Sequence, residues 1–202
     1  MNPTVIITGH SYGLGAALAA AWLETGACVI GLARSNNAAL AATHPGQLHE
    51  TALDLADPPA VLAYTRSDAF RHICQEADTL WLFNNAGTVA PSAPLGAQAD
   101  DDITHALNLN ITAPLLLANA TVAHARDRDN VRIVHISSGA ARKPYPGWSI
   151  YGASKAALDR HAADAAAEGV RIVSLAPGVV DTAMQAGMRN DAAFPLRDQF
   201  AA

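Results

Sequence analysis

Tyr151 and Lys155 stand four residues apart, and Ser138 precedes them in the same stretch. On a helix, residues four apart share one face. A tyrosine phenol normally titrates near ~10, and a neighbouring lysine cation favours the phenolate and lowers that value. Tyr151 can then give a proton to a carbonyl oxygen, or take one from an alcohol, near neutral pH. Ser138 can hold the same oxygen by a hydrogen bond, and Lys155 keeps donors for a sugar hydroxyl. A solvated Tyr-x-x-x-Lys pair on a surface helix is the competing reading, and the pair alone does not separate the two.

The flanking residues supply the elements that would bring these groups together. The apolar run Val131-Arg132-Ile133-Val134-His135-Ile136 reads as a buried strand leading to Ser138. Residues 139–149 contain two prolines and two glycines and read as loop. A helix then starts near Ile150 and continues to about Glu168, where Gly169 stops it. A hydroxyl, a phenol and an ammonium therefore meet at the carboxyl edge of a sheet, where open α/β folds bind ligands.

The amino-terminal segment is half of a dinucleotide-binding unit: strand Thr4–Thr8, a glycine turn, helix Ala16 to about Thr25, and strand Cys28–Ala33. In the turn, Gly9 permits the bend, Gly13 a close approach of phosphate, and Gly15 close helix packing; Ser11, Tyr12 and Leu14 complete it. The helix amino terminus attracts a pyrophosphate. Arg34 and Ser35 stand where a site for unphosphorylated cofactor places an acid, and they can bind a 2′-phosphate instead. The expected cofactor is NADP (NADPH) rather than NAD. After strand Leu48–Leu53, Asp54 and Leu55 lie near the adenine side of the crevice; a capping role for Asp54 before Pro58 is the alternative.

A helix over Pro59–Ala77 precedes strand Thr79–Phe83, which runs into Asn84-Asn85-Ala86-Gly87. Two amides and a glycine suit a backbone passing close to a flat ring, so Asn85, Ala86 and Gly87 join the cofactor contacts. A long helical region, about 100–126, carries Asn108 and Asn110 among apolar residues. Pro114 should interrupt it, letting one asparagine shape the helix and hold a water beside the lysine. Val170–Leu175 reads as a sixth strand. Beyond it, Pro177, Gly178 and Val180 return to the carboxyl edge, and Thr182 can bond the carboxamide of a nicotinamide. Residues 183–202, with Met184, Met188 and Phe194, suit a mobile lid over an apolar substrate. The 139–149 loop adds Tyr145 and Trp148 to that pocket, with Arg142 and Lys143 solvated at its rim.

The chain of 202 residues, half of them hydrophobic and 15% charged, predicts one domain, 1–202, with a sizeable core. A net charge of −5 without a basic block argues against nucleic acid as a partner. No continuous apolar run reaches membrane-spanning length, and the start lacks a basic signal-peptide head. Cys28 and Cys74 have no metal or redox spacing and read as buried thiols in a reduced compartment. The expectation is a soluble cytoplasmic protein without a metal site and without a membrane partner.

Thr8-Gly9-x-x-x-Gly13-x-Gly15, Asn84-Asn85-Ala86-Gly87, Ser138, Tyr151-x-x-x-Lys155 and Pro177-Gly178, in that order, resemble the classical short-chain dehydrogenase/reductase family over nearly the whole chain. The resemblance implies an α/β fold, a Rossmann-like doubly wound parallel sheet with helices on both faces. It also implies roles: Tyr151 as acid/base, Ser138 orienting the substrate oxygen, Lys155 binding ribose, and Asn110, ahead of Asn108, supporting a proton-relay water. Residues 137–141 and the 143–148 loop look like the sepiapterin reductase and benzil reductase branch, which reduces ketones and diketones with NADPH. Two departures stand out. Tyr12 occupies a place where NADP enzymes often carry a basic residue. The chain also stops where the family usually adds a seventh strand, leaving six. The family pairs through the helices at about 100–126 and 150–168, which implies a homodimer or homotetramer. The expected reaction is NADPH-dependent reduction of a small-molecule ketone or diketone. An NAD-dependent alcohol dehydrogenase and a non-catalytic dinucleotide-binding regulatory protein are the alternatives.

Overall fold

The computed structural model describes residues 2–178. Six parallel strands form one sheet in the order β3-β2-β1-β4-β5-β6. They are β1 (Thr4–Thr8), β2 (Cys28–Ala33), β3 (Leu48–Ala52), β4 (Leu80–Asn84), β5 (Val131–Ile136) and β6 (Ile172–Leu175). The helices are α1 (Gly13–Glu24), α2 (Ala38–Thr43), α3 (Pro58–Thr65), α4 (Asp68–Glu76), α5 (Asp100–Leu107), α6 (Ala113–His124) and α7 (Ser149–Ala167). The expected absence of a seventh strand concerns residues 179–202, which lie outside the described residues.

The period-2 alternation of the strands separates two apolar layers. Val5, Ile7, Val29, Phe83, Val134 and Ile136 pack on Ala19 and Leu23 of α1. Ile6, Ile30, Leu82 and Ile133 face the other side, against Val61, Phe70, Leu117 and Ala162 from α3, α4, α6 and α7. Helices therefore cover both faces. The strand order reverses between β1 and β4, so the crevice at their carboxyl ends is the topological switch point.

Two helical expectations change. The single helix over Pro59–Ala77 is in fact α3 and α4, split at Arg66-Ser67. Ser67 turns to an extended ψ of 153° and its hydroxyl accepts from Phe70 N at 3.1 Å, a serine N-cap inside the run. The long region 100–126 is α5, a π-helical turn over Asn108–Thr112, and α6, ending at His124. Pro114 has no N–H to continue the α ladder, and the widened turn just before it absorbs the defect. Within Asp100–His124 an 18-residue stretch has mean hydropathy 1.3, so by length and composition alone the run is apolar enough to cross a membrane. Its segments pack on α3, α4, α7, β4 and β5.

Candidate active site

A cavity of about 640 Å³ opens at the carboxyl edge, with the glycine turn and the β2 and β3 ends on one side and Ser138, Tyr151 and Lys155 on the other. Thr8 joins its parts at the switch point. Its Oγ1 accepts from the backbone N–H groups of Asn85 at 2.9 Å and Ala86 at 3.0 Å, and the Asn85 side chain donates to the Thr8 carbonyl at 2.9 Å. The turn requires its glycines. Gly9 has φ +69°, and a Cβ on Gly15 would lie 2.0 Å from the Gly9 carbonyl oxygen. This tight, side-chain-free wall with backbone N–H groups at the start of α1 fits a dinucleotide pyrophosphate.

Sequence-predicted cofactor residues Gly9, Ser11, Tyr12, Gly13, Leu14 and Gly15 all line the cavity, as do Arg34, Ser35, Asp54 and Leu55. So do Asn85, Ala86, Gly87, Pro177 and Gly178. Asp54 also fulfils the alternative reading: its Oδ1 accepts from Ala56 N at 2.9 Å. Val180, Thr182 and the expected lid with Met184, Met188 and Phe194 lie outside the described residues.

At the other end, α7 presents Tyr151 and Lys155, both buried, toward the end of β5. Ser138 Oγ accepts from Ala140 N at 3.2 Å, and Ser138 and Tyr151 line the same cavity. Asn110 is fully buried in the π turn and does not line the cavity. Its amide clamps the β4–α5 segment, accepting from Thr88 N and donating to Thr88 O, both at 2.8 Å. It also donates to Ser154 Oγ at 3.1 Å, which donates in turn to the Tyr151 carbonyl at 2.8 Å. Asn110 thus holds the helix that carries the tyrosine.

The electrostatics differ from the simple tyrosine–lysine argument. Burial pushes the Tyr151 phenol up, and the nearby Ser138 hydroxyl pulls it back only partly. Burial also brings Lys155 down, to about 8, with Asp159 opposing. Lys155 Nζ donates to the Ile136 carbonyl at 2.7 Å and lies 5.7 Å from the Tyr151 ring centroid. A protonated phenol is the form a carbonyl reduction needs.

Tyr145 and Trp148 line the cavity beside Tyr151, with Trp148 and Tyr151 edge to face at 5.3 Å. Trp148 is anchored through Nε1 to Ser92 Oγ at 3.2 Å. Arg142 is not solvated alone at the rim: it pairs with Asp159 at 3.0 Å, and Ser174 Oγ donates to the same carboxylate at 2.5 Å. Sequence reasoning quoted Thr8 in the glycine-turn motif without giving it a role, and it missed Thr88, Ser154 and Asp159. Ser154, adjacent to Lys155, and Thr8, opening the glycine turn, had positional signals; Thr88 and Asp159 had none.

The sequence profile of the short chain dehydrogenase family matches residues 3–193. The chain belongs to that family. A short-chain dehydrogenase/reductase of known structure from Burkholderia vietnamiensis is 43% identical, covers 96% of this chain and 95% of its own, and superposes with a TM-score of 0.85. Benzil reductase ((S)-benzoin forming) of Bacillus cereus is 34% identical over 203 residues, spanning 93% of this chain and 80% of the relative. Sepiapterin reductase of Meriones unguiculatus is 33% identical over 196 residues, spanning 89% and 75%. This short-chain dehydrogenase is therefore an oxidoreductase with the dinucleotide-binding fold, related to the benzil reductase and sepiapterin reductase branch.

Proposed function

We propose that the protein uses NADPH to reduce an aromatic or vicinal diketone to the hydroxyketone. One observation carries this: a single cavity joins Arg34 and Ser35, at the β2 end, to Ser138, Tyr151, Tyr145 and Trp148. Arg34 is exposed and has no ion pair among the described residues, which leaves its guanidinium fork available for a 2′-phosphate. Gly9, Gly13 and the start of α1 would hold the pyrophosphate, and Asn85 to Gly87 the nicotinamide side. When bound, the nicotinamide supplies a hydride to the carbonyl carbon.

Ser138 and Tyr151 both direct hydroxyls at the position of a substrate oxygen. Tyr151, held protonated by burial, gives its proton to that oxygen as negative charge develops there. Lys155, with Nζ near both the ring and the β5 end, binds ribose and supports reprotonation of the phenolate. Asn110 keeps α7 and the Thr88 segment in place. Tyr145 and Trp148 offer aromatic faces to an aryl ketone, whereas a sugar's hydroxyls would lie unpaired against them. Pairing of subunits through α5, α6 and α7 is part of this reading. The test is oxidation of NADPH and NADH, measured separately, with benzil and with a polyhydroxy ketone. We expect NADPH and benzil to be preferred. Preference for NADH would overturn the cofactor assignment, and preference for the polyhydroxy ketone the apolar pocket.

A further inference from the structure

We propose that His10 and Glu50 form a positioning pair that holds the 34–37 loop and thereby sets the ratio of affinities for the 2′-phosphorylated and unphosphorylated dinucleotide. The proposal rests on the dinucleotide-binding reading above. His10 is fully buried in the glycine turn and does not line the cavity, so its role is not contact with the ligand. Its Nε2 lies 2.7 Å from Oε1 of Glu50 on β3. Because β2 stands between β1 and β3, the ring must cross that strand to reach its partner. It does so over Gly31, where a Cβ would sit 2.4–2.5 Å from three ring atoms. Any larger residue at Gly31 would displace the imidazole.

The destination explains the arrangement. The same Oε1 accepts from the backbone N–H of Asn37 at 2.6 Å, and Asn37 Oδ1 caps α2 through Leu40 N at 3.1 Å. A second link runs from Ser35 Oγ to Ser11 Oγ at 3.1 Å. The loop carrying Arg34 and Ser35 is thus tied at two points, to the glycine turn and to β3. Ordering an exposed arginine on an untethered loop costs backbone as well as side-chain entropy; on a held loop only the side chain remains to be ordered. His10 also shares with the Asn37 N–H a carboxylate that is only 10% exposed.

Dissociation constants for NADPH and NADH, measured by fluorescence titration on folded protein verified by thermal melting, test the proposal. Glu50→Leu removes the acceptor at similar size. We expect it to weaken NADPH about tenfold and NADH less than about twofold, while Glu50→Gln, which keeps an oxygen for both donors, retains most of the wild-type ratio. His10→Phe keeps a ring against Gly31 without a donor; it should reproduce the loss and serves where Glu50→Leu does not fold. Equal weakening of both cofactors, or an unmoved ratio, would overturn the proposal. Tighter NADH binding by the wild type would instead overturn the NADP assignment, and the shift of the ratio between variants would still decide the role of the pair.

Discussion

Replacing Lys155 by methionine should change how stability depends on pH more than it changes stability at neutral pH. Lys155 is 4% exposed, and burial lowers its pKa from 10.5 to about 8 despite the nearby Asp159. Between those values the unfolded chain binds a proton that the folded protein does not, so folded stability rises with pH across that window. Below about 8 the cost of the buried cation is present in full. The displacement from 10.5 to about 8 corresponds to ~3 kcal/mol at ~1.4 kcal/mol per pH unit. A methionine side chain at this position would carry no such cost but would lose the 2.7 Å charge-assisted bond to the Ile136 carbonyl, worth ~1.5–3 kcal/mol. The two nearly offset at pH 7. The stability of Lys155→Met minus that of the wild type should then fall by ~3 kcal/mol as pH rises from 7 past 10. Urea denaturation of both proteins without cofactor, at pH steps from 7 to 10.5, measures this. Taking the difference cancels Tyr151 and Cys74, which burial raises in both proteins. A difference that is flat or grows with pH would refute the buried-cation argument.

Tyr151→Phe should bind NADPH nearly as the wild type does and lose ~10²–10⁴-fold in turnover; near wild-type turnover in a steady-state assay would remove the tyrosine from the chemistry. Asp159→Asn removes the carboxylate that holds the Lys155 pKa up and pairs with Arg142. The lysine should then lose its proton at lower pH, and the alkaline limb of the pH–rate profile should move down; an unchanged profile would argue against this coupling. Trp148→Ala, at a residue 6% exposed, should cost ~3–5 kcal/mol in denaturant unfolding. It should also reduce kcat/KM for benzil more than for a very small ketone, and equal losses would place Trp148 outside the substrate pocket.

The sequence by itself determined what short-range sterics and periodicity control. Val5 and Ile7 against Ile6 already announce a two-faced strand. Gly9 and Gly15 announce a turn that a Cβ would break, and Tyr151 and Lys155 share a face because a helix repeats every ~3.6 residues. With them came the parallel sheet, the glycine cradle and the cluster at the end of β5. Local signals fell short even within helices: Ser67 caps a new helix only once its ψ turns extended, and the membrane-length apolarity of 100–124 became a core face only through packing. Everything depending on desolvation or on partners far apart in the chain was decided by tertiary structure. Lys155 was expected to lower the Tyr151 pKa, but burial of both groups raises the phenol and lowers the ammonium. Asn110 meets Thr88 and Ser154, 22 and 44 residues away, and His10 meets Glu50, 40 residues away across β2. Such contacts follow from how the strands are ordered and how closely the layers pack. No local spacing encodes either, because the water excluded from a site and the neighbour brought to it exist only once the whole sheet has closed.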